Sequence, residues 1–273
     1  MSDTIAFIGA GNMARSLVGG LLQQGWPAAA VRMADPNKEQ LGAARKAFDI
    51  AVFADNAAAA RGANILVLAV KPQTLRAVCT ALRPALAHAP LAISVAAGIR
   101  AHDIARWLGG GCAVVRTMPN TPALIGQGAT ALFAHIGVTA AQRTQAENIM
   151  RAVGIAEWVA DEAALDAVTA LSGSGPAYFF RVIEVLEQAG IAAGLAPATA
   201  RRLSIQTALG AASMAAASGE APAVLRARVT SPGGTTERAL ATLDEGHIAE
   251  LFARAVAAAR ARSQELAEEF GKE

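Results

Sequence analysis

The N-terminal region joins a short apolar run to a glycine-containing turn and then to an amphipathic stretch. Residues 5–8 (IAFI) are apolar throughout, which predicts a buried strand. From Gly11 onward apolar residues fall at helical spacing and place Leu17, Val18 and Leu21 on one face of a predicted helix. The chain therefore begins with a strand, a turn and a helix.

Short apolar runs continue as far as residue 159. They predict strands at residues 31–34, 50–53, 65–70, 91–95, 113–115, 129–134 and 155–159, with a helix at residues 140–152. The run ILVLAV at residues 65–70 is apolar on both faces, as expected of a central parallel strand. This pattern predicts an α/β fold class with an N-terminal Rossmann-like, doubly wound sheet.

The sequence beyond Asp161 contains no strand pattern. Apolar residues there recur at helical spacing, for example from Tyr178 and again from Ile248 onward. Residues 203–219 form a predicted helix without charge on any face, and one small domain offers it limited cover. We therefore expect an all-helical dimerisation domain at residues 161–273, after a dinucleotide-binding domain at residues 1–160.

The composition argues against a membrane protein and against a nucleic-acid-binding protein. Hydrophobic residues make up 53% of the 273 residues, but aromatic residues only 4%, and alanine supplies much of the hydrophobic share. The longest uncharged stretch, residues 117–142, contains prolines and glycines and cannot cross a bilayer as a helix. A net charge of +2 without a basic stripe argues against a nucleic-acid partner.

Cysteines and histidines are too scattered to indicate a disulfide framework or a metal site. Cys79 and Cys112 are isolated, and the four histidines lack the spacing of metal ligands. The apolar run at the N-terminus opens the fold itself and does not resemble a secretory signal. We therefore expect a cytoplasmic protein without a bound metal.

The turn after the first strand has the spacing of a dinucleotide-binding fingerprint. Gly9, Gly11 and Ala14 form G-x-G-x-x-A between the predicted strand and the predicted helix. Gly9 permits the tight turn, Gly11 lets the backbone approach a pyrophosphate, and Ala14 allows close packing. The predicted cofactor-binding residues of this turn are Ile8, Gly9, Ala10, Gly11, Asn12 and Met13. The alternative is a glycine turn that binds no ligand.

Asp35, at the end of the second predicted strand, bears on the choice of cofactor. An acidic residue there can accept hydrogen bonds from an adenosine ribose and would repel the extra phosphate of NADP. Arg32 and Lys38 lie close in sequence, and Asn37 can donate a hydrogen bond, so the preference stays open. Asp35 is alternatively a turn residue before Pro36.

Three further strand ends carry small or polar residues where a nicotinamide and its substrate are expected, because ligands of doubly wound sheets bind there. The candidate cofactor residues, with Asn56 after the third strand, are Ala69, Val70, Lys71, Pro72, Val95, Ala96, Ala97, Gly98 and Pro119. Lys71 either approaches the cofactor or is a solvated charge at a strand end. The alternative for each end is an ordinary loop.

Two segments of the helical half are rich in glycine and hydroxyl residues, a composition that helix packing alone does not require. Residues 172–178 (SGSGPAY) predict a helix that begins at Pro176 and is capped by Ser174 or Gly175. Residues 230–236 (TSPGGTT) place backbone N–H groups, two threonine hydroxyls and a serine at the start of another helix. That arrangement is an anion receptor suited to a carboxylate, and the alternative is an ordinary capped helix.

At these segments the chain resembles the pyrroline-5-carboxylate reductase family over nearly its whole length. The matching motifs are FIGAGNMA, AVKP at residues 69–72, SVAAG at 94–98, RTMPNTPA at 116–123, SGSGPAY and TSPGGTT. The resemblance implies reduction of L-1-pyrroline-5-carboxylate, a cyclic imine, to L-proline by NADPH or NADH in the last step of proline biosynthesis. It also implies homodimers, some of which build decamers. Asp35 departs from the small or polar residue usual in the family, which leaves the preference for NADPH open.

Residues of both halves are assigned to the substrate. The predicted substrate-binding residues are Asn120, Ser231, Gly233, Gly234, Thr235 and Thr236. The serine and the next three N–H groups of that segment are expected to bind the substrate carboxylate. Thr236, from its position in the family, is expected to hydrogen-bond the ring nitrogen and relay the proton, as the catalytic residue.

Two other functions stay open on the sequence. A hydroxyacid dehydrogenase of the 6-phosphogluconate type opens similarly, but it uses a lysine on an early helix of its second domain. Residues 178–197 of this chain contain no lysine, which counts against that function. The other is a regulatory protein that binds the cofactor without turnover.

Overall fold

The computed structural model describes residues 3–271, which packing divides into two units. One unit is Gly175–Ala258, and the other contains the remaining described residues, including the last turns of the C-terminal helix. The domain boundary expected from the sequence, between residues 160 and 161, stays a prediction.

A single sheet forms the centre of the first unit. Its strands are β1 (Ile5–Ile8), β2 (Val31–Ala34), β3 (Ala51–Phe53), β4 (Ile65–Leu68), β5 (Leu91–Ser94), β6 (Val114–Met118), β7 (Gly128–Ala134) and β8 (Gly154–Trp158). Their order is β3-β2-β1-β4-β5-β6-β7-β8. β1 to β6 are parallel, and β7 and β8 run the opposite way. The predicted α/β class with a Rossmann-like sheet is confirmed.

Two strands end two or more residues away from the predicted position. β4 stops at Leu68 instead of residue 70, because the chain turns toward a helix that begins at Pro72. β6 continues past its predicted end at residue 115, since Arg116 and Thr117 are buried and hydrogen bonded instead of exposed. Polar residues inside a strand are mistaken for its end when only the sequence is known.

Helices cover both faces of the sheet, as a doubly wound fold requires. They are α1 (Asn12–Gln23), α2 (Lys38–Phe48), α3 (Asn56–Ala60), α4 (Pro72–Leu82), α5 (Ala101–Trp107) and α6 (Ala140–Arg151). Alternate residues of β1 enter different cores: Phe7 belongs with Leu17 of α1, and Ile8 belongs with Leu75 of α4. The central strands are apolar on both sides for this reason.

The rest of the described chain is helical. Its helices are α7 (Ala164–Val168), α8 (Gly175–Ala192), α9 (Pro197–Ser218), α10 (Pro222–Arg228), α11 (Thr235–Glu245) and α12 (Ile248–Gly271). Between Trp158 and residue 271 the structure contains no strand, which confirms that the second half is helical.

α8 begins within the SGSGPAY segment at Gly175, one residue before the predicted start at Pro176, but Ser174 does not have the extended backbone of the predicted cap. A π-helical turn, Thr169–Gly173, follows α7 directly, and Ser174 has helical angles (φ −84°, ψ −20°). The Ser174 N–H donates to the carbonyl oxygen of Thr169 at 2.8 Å, five residues earlier. The glycines and serines thus accompany a widened turn in a continuous helical segment.

Large apolar side chains remain exposed in the helical unit. On α9, Leu203, Ile205 and Leu209 are 54%, 48% and 58% exposed, whereas Ala200 and Ser204 are buried. The other helices of this unit therefore leave α9 partly uncovered, as the sequence predicts. Exposed apolar surface on this scale is typical of a protein–protein interface.

We expect alanine substitutions at Gly19 and Gly20, adjacent residues of α1, to have opposite effects on stability. A Cβ on Gly20 would lie 2.3 Å from the carbonyl oxygen of Ala152, so Gly20→Ala should lower the free energy of unfolding by about 1–3 kcal/mol. A Cβ on Gly19 would make ordinary contact with Phe48, so Gly19→Ala should raise it by up to about 1 kcal/mol. Chemical denaturation measures both changes, and equal shifts would contradict the close packing.

Candidate active site

The two glycines of the first turn are required for different physical reasons. Gly9 has a φ of +105°, and a Cβ on it would lie 2.5 Å from the carbonyl oxygen of Ala69. Gly11 precedes α1 with a φ of −68°, and a Cβ on it would have no atom within 4 Å among the described residues. Gly9 is therefore required for the backbone to fold at this turn, and Gly11 leaves open space in front of the helix.

The N-terminus of α1 has the features of an anion site. No side chain of the described chain caps it, and its first turn contains no acidic residue. Ala10 is buried, Met13 is half-buried and Asn12 is exposed beside this turn. Uncapped N–H groups and the positive end of the helix dipole fit the diphosphate of a dinucleotide. The residues present therefore fit the predicted cofactor.

Asp35 holds the first turn in place from the end of β2. Its Oδ2 accepts the Ala10 N–H at 2.7 Å, and its Oδ1 accepts the Asn37 N–H at 2.8 Å. Arg32 does not face a ligand, because its guanidinium donates to the carbonyl oxygens of Ala59 and Arg61. Asp35 is therefore a turn residue, the alternative that the sequence left open, and its carboxylate also accepts a hydrogen bond from the glycine loop.

The neighbouring strand ends lie next to this turn. The Ala69 N–H donates to the carbonyl oxygen of Ile8 at 2.8 Å, which fixes the end of β4 beside β1. Lys71 is exposed and precedes α4, whose first residue is Pro72. Asn56, half-buried, is the first residue of α3. The predicted contacts of these residues with the cofactor stay predictions.

The SVAAG segment after β5 divides between two environments. Val95 and Ala97 are half-buried, and the Val95 N–H donates to the carbonyl oxygen of Leu68 at 3.1 Å. Gly98 has a φ of +76°, and a Cβ on it would lie 3.5 Å from Leu266 and 3.6 Å from Phe270 of α12. The predicted cofactor residue Gly98 is therefore buried under the C-terminal helix.

Asn120 bridges three segments through its side chain. Its Nδ2 donates to the carbonyl oxygen of Ser172 at 3.0 Å, and its Oδ1 accepts the Ala129 N–H at 2.9 Å. The residue and its neighbour Pro119 are buried. The amide therefore ties the end of β6 to β7 and to the π-helical turn, and its predicted contact with substrate stays a prediction.

In the helical unit, the TSPGGTT segment precedes α11 as predicted. Gly234 stands before the helix, and Gly233 has a φ of +71°. The Gly234 N–H donates to the carbonyl oxygen of Ser231 at 3.0 Å, while the Gly233 N–H donates to Glu237 Oε2 at 2.8 Å. Thr236 is half-buried, so it is less accessible than the exposed Ser231.

Glu237 is a residue of this segment that the sequence analysis missed. It is the third residue of α11, the position from which a glutamate commonly reaches back to an N–H before the helix. That spacing is the signal that would have revealed it. Two of the three N–H groups predicted to bind the substrate carboxylate therefore already have acceptors, in Glu237 and in Ser231.

Four buried or half-buried charges in the first unit were also missed. Arg116, 1% exposed, pairs with Glu162 at 3.0 Å, and Arg100 pairs with the fully buried Asp166 at 3.2 Å. Burial lowers the pKa of the Arg116 guanidinium, and its hydrogen bond to Glu162 partly offsets that effect. The paired residues are 46 and 66 positions apart, so no local spacing reveals them.

The cysteines offer no reactive thiol. Cys79 and Cys112 are both buried and unpaired, and burial raises the pKa of Cys79 to about 12. Within residues 3–271, no cluster of three His, Cys, Asp or Glu side chains is arranged to hold a metal ion. None of the helices in that range is both long and apolar enough to cross a membrane.

Two family models match the chain. The model for pyrroline-5-carboxylate reductase dimerisation matches residues 162–266, which supports an oligomer, and the model for coenzyme F420-dependent NADP oxidoreductases matches residues 4–98. A pyrroline-5-carboxylate reductase of Pseudomonas aeruginosa is 53% identical over 268 residues, covering 98% of both chains.

Solved structures agree with this assignment. A pyrroline-5-carboxylate reductase from Coxiella burnetii is 42% identical, with a TM-score of 0.94 over 97% of this chain and 99% of that one. The pyrroline carboxylate reductase of Plasmodium falciparum, solved with NADP bound, is 28% identical, with a TM-score of 0.85 over 97% and 98% of the two chains. Identity over nearly the whole length favours this family over the hydroxyacid dehydrogenases and over a cofactor-binding regulator. The chain belongs to the pyrroline-5-carboxylate reductase family, NAD(P)H-dependent oxidoreductases that perform the last step of proline biosynthesis.

Proposed function

We propose that this chain binds the cofactor and the substrate at two helix N-termini, one in each unit. The observation that carries the proposal is that α1 and α11 each begin after glycines and without a side-chain cap in the described chain. The N-terminus of α1 binds the cofactor diphosphate, because its N–H groups and dipole favour an anion. Reduced nicotinamide, when bound, supplies the hydride that the imine carbon accepts.

The strand ends orient the two reacting molecules. Residues 69–72 and 95–98 line the cofactor, and Pro119 and Asn120 border the nicotinamide and the ring of the substrate. Asn120 is suited to this task because both ends of its amide are already held, so its position does not depend on the ligand. Orientation of this kind is the main contribution that the chain makes to the rate.

The segment before α11 binds the substrate carboxylate. The carboxylate displaces Glu237 from the Gly233 N–H and is further held by Ser231 and the Thr235 N–H. Thr236 places its hydroxyl at the ring nitrogen and relays a proton from water to it, and the carbon of the protonated imine then accepts the hydride to give the ring amine. A protonated cyclic imine is already electrophilic, so the chain needs to orient it and not to supply a strong acid.

NADPH is the proposed preferred cofactor, with NADH as an alternative. Each carboxylate oxygen of Asp35 accepts a backbone N–H, which spreads part of its charge into the turn. Lys38 is exposed at the start of α2, where a cation would favour a 2′-phosphate. A homodimer that covers α9, with a decamer as a larger form, and a cytoplasmic location complete the proposal.

Alanine substitutions at the two glycines of the first turn should separate cofactor binding from folding. Gly11→Ala should raise the Kd for NADPH about tenfold or more with an unchanged thermal midpoint, because its Cβ would enter only the space meant for the diphosphate. Gly9→Ala should lower the free energy of unfolding by at least about 2 kcal/mol, because of its positive φ and the Ala69 carbonyl. Fluorescence titration and thermal unfolding measure these effects. Normal NADPH binding by Gly11→Ala would refute the proposed diphosphate site.

Removal of the Thr236 hydroxyl tests the proposed proton relay. Thr236→Ala should lower kcat on the order of 10²-fold, the usual contribution of a positioned proton donor, and leave the Kd for NADPH nearly unchanged. Thr236→Ser, which keeps a hydroxyl, is the matched control and should recover most of the activity. Steady-state kinetics with pyrroline-5-carboxylate decides, and unchanged turnover in Thr236→Ala removes the residue from the mechanism.

Neutralisation of Asp35 tests the choice of cofactor. Asp35→Asn should raise the ratio of kcat/KM with NADPH to kcat/KM with NADH by about tenfold, because one negative charge near the ribose is lost. Asp49→Asn, just past the other end of α2, changes the net charge equally and should leave the ratio unchanged. Equal ratios in the two variants would mean that Asp35 does not face the ribose.

A further inference from the structure

The loop that follows β5 is fixed at three residues between positions 98 and 101. Gly98 lies under Leu266 and Phe270 of α12, as described above. Arg100 Nη2 contacts Asp166 Oδ2 at 3.2 Å, and the Ala101 N–H donates to Glu162 Oε1 at 2.7 Å. The same loop begins with Val95, where the proposed cofactor contacts lie.

Two carboxylates accept the contacts of Arg100 and the Ala101 N–H, and each of them also accepts a second group. Besides the Ala101 N–H, Glu162 Oε1 accepts Arg116 Nη1 of β6 at 3.0 Å. Besides Arg100, Asp166 accepts the Ser263 hydroxyl of α12 at its Oδ1, at 2.8 Å. We call Arg100, Arg116, Glu162, Asp166 and Ser263 the clamp. It joins the loop after β5 to β6, to α7 and to the end of α12.

The clamp is largely buried and contains two cations and two anions. Asp166 is fully buried, Arg116 and Ser263 are 1% and 4% exposed, and the Arg100 side chain is 26% exposed. Buried charges of this kind tolerate few alternative arrangements, because any broken pair leaves a charge without water or a partner. The loop is therefore held in one position more strictly than apolar packing alone would hold it.

We propose that the clamp is a positioning device for hydride transfer, because it fixes the loop that carries residues 95–98 beside the nicotinamide. This inference rests on the proposed contact of that loop with the cofactor. Its residues do not touch the reacting atoms and are not catalytic. A clamp that served only stability would affect the amount of folded protein and not the properties of the folded enzyme.

The test compares Asp166→Asn with Ile149→Ala in the full-length enzyme. Ile149 is a fully buried residue of α6 on the other face of the sheet, so its truncation destabilises the same unit away from the clamp. At a temperature where circular dichroism shows each variant folded, Asp166→Asn should lower kcat about tenfold and leave the KM for pyrroline-5-carboxylate within about twofold. Ile149→Ala should keep both constants near those of the unsubstituted enzyme.

A kinetic isotope effect adds a readout that lost stability does not change. With NADPH deuterated at the transferred position, the isotope effect on kcat should rise in Asp166→Asn, because poorer alignment makes the hydride step slower than product release. It should not rise in Ile149→Ala. If Asp166→Asn does not fold, Ser263→Ala removes one donor without leaving a charge unpaired, and it should show a smaller change in the same direction.

The outcomes separate the clamp from the proposed function. Equal kcat and equal isotope effects in the folded clamp and control variants would overturn the positioning role, even if the unsubstituted enzyme reduces the imine. Failure of the unsubstituted enzyme to oxidise NADPH with pyrroline-5-carboxylate would instead overturn the proposed function.

Discussion

The close approach of two backbone segments at the centre of the sheet governs the rest of the first unit. The Ala69 carbonyl at the end of β4 leaves no space for a side chain at residue 9, so β1 turns there only with glycine. The same turn brings the Ala10 N–H to Asp35 at the end of β2. Three strand ends are held together in this way, and α1 begins between them with its N–H groups uncapped.

Binding and rigidity are supplied by different parts of the chain. In the described residues no side chain caps α1 or α11 at the residue before the helix, although Glu237 accepts the Gly233 N–H just upstream of α11. The first N–H groups of both helices can therefore bind anionic groups. The loop after β5 has the opposite character, because ion pairs and a helix hold it on several sides. A reductase whose substrate is already electrophilic benefits from this division, since accurate placement is the main requirement.

The sequence was informative wherever the determining pattern is local. The apolar runs predict every strand of the sheet to within a few residues, and the glycine turn and TSPGGTT both precede helices as expected. The prediction was wrong at Ser174, where a wide helical turn replaces a cap, because glycines and serines are compatible with either.

Contacts between distant segments could not be read from the sequence. Arg100 pairs with Asp166, 66 positions later in the sequence, and Asp35 accepts the N–H of Ala10, 25 positions earlier. Neither separation corresponds to a sequence pattern. Sequence spacing indicates which groups are available along one element. The fold decides which of them meet, so residues such as Asp35 and Asn120 acquired hydrogen-bond partners that no motif specifies.

The packing of α12 against Gly98 has a consequence for how the protein is made. Residues 259–271 belong to the same unit as the N-terminal sheet, although the whole of Gly175–Ala258 lies between them in the chain. During translation, strands β1 to β8 emerge from the ribosome long before the helix that covers Gly98. The first unit therefore completes its packing only after the whole of Gly175–Ala258 has been synthesised, and until then the surface around Gly98 lacks its apolar cover.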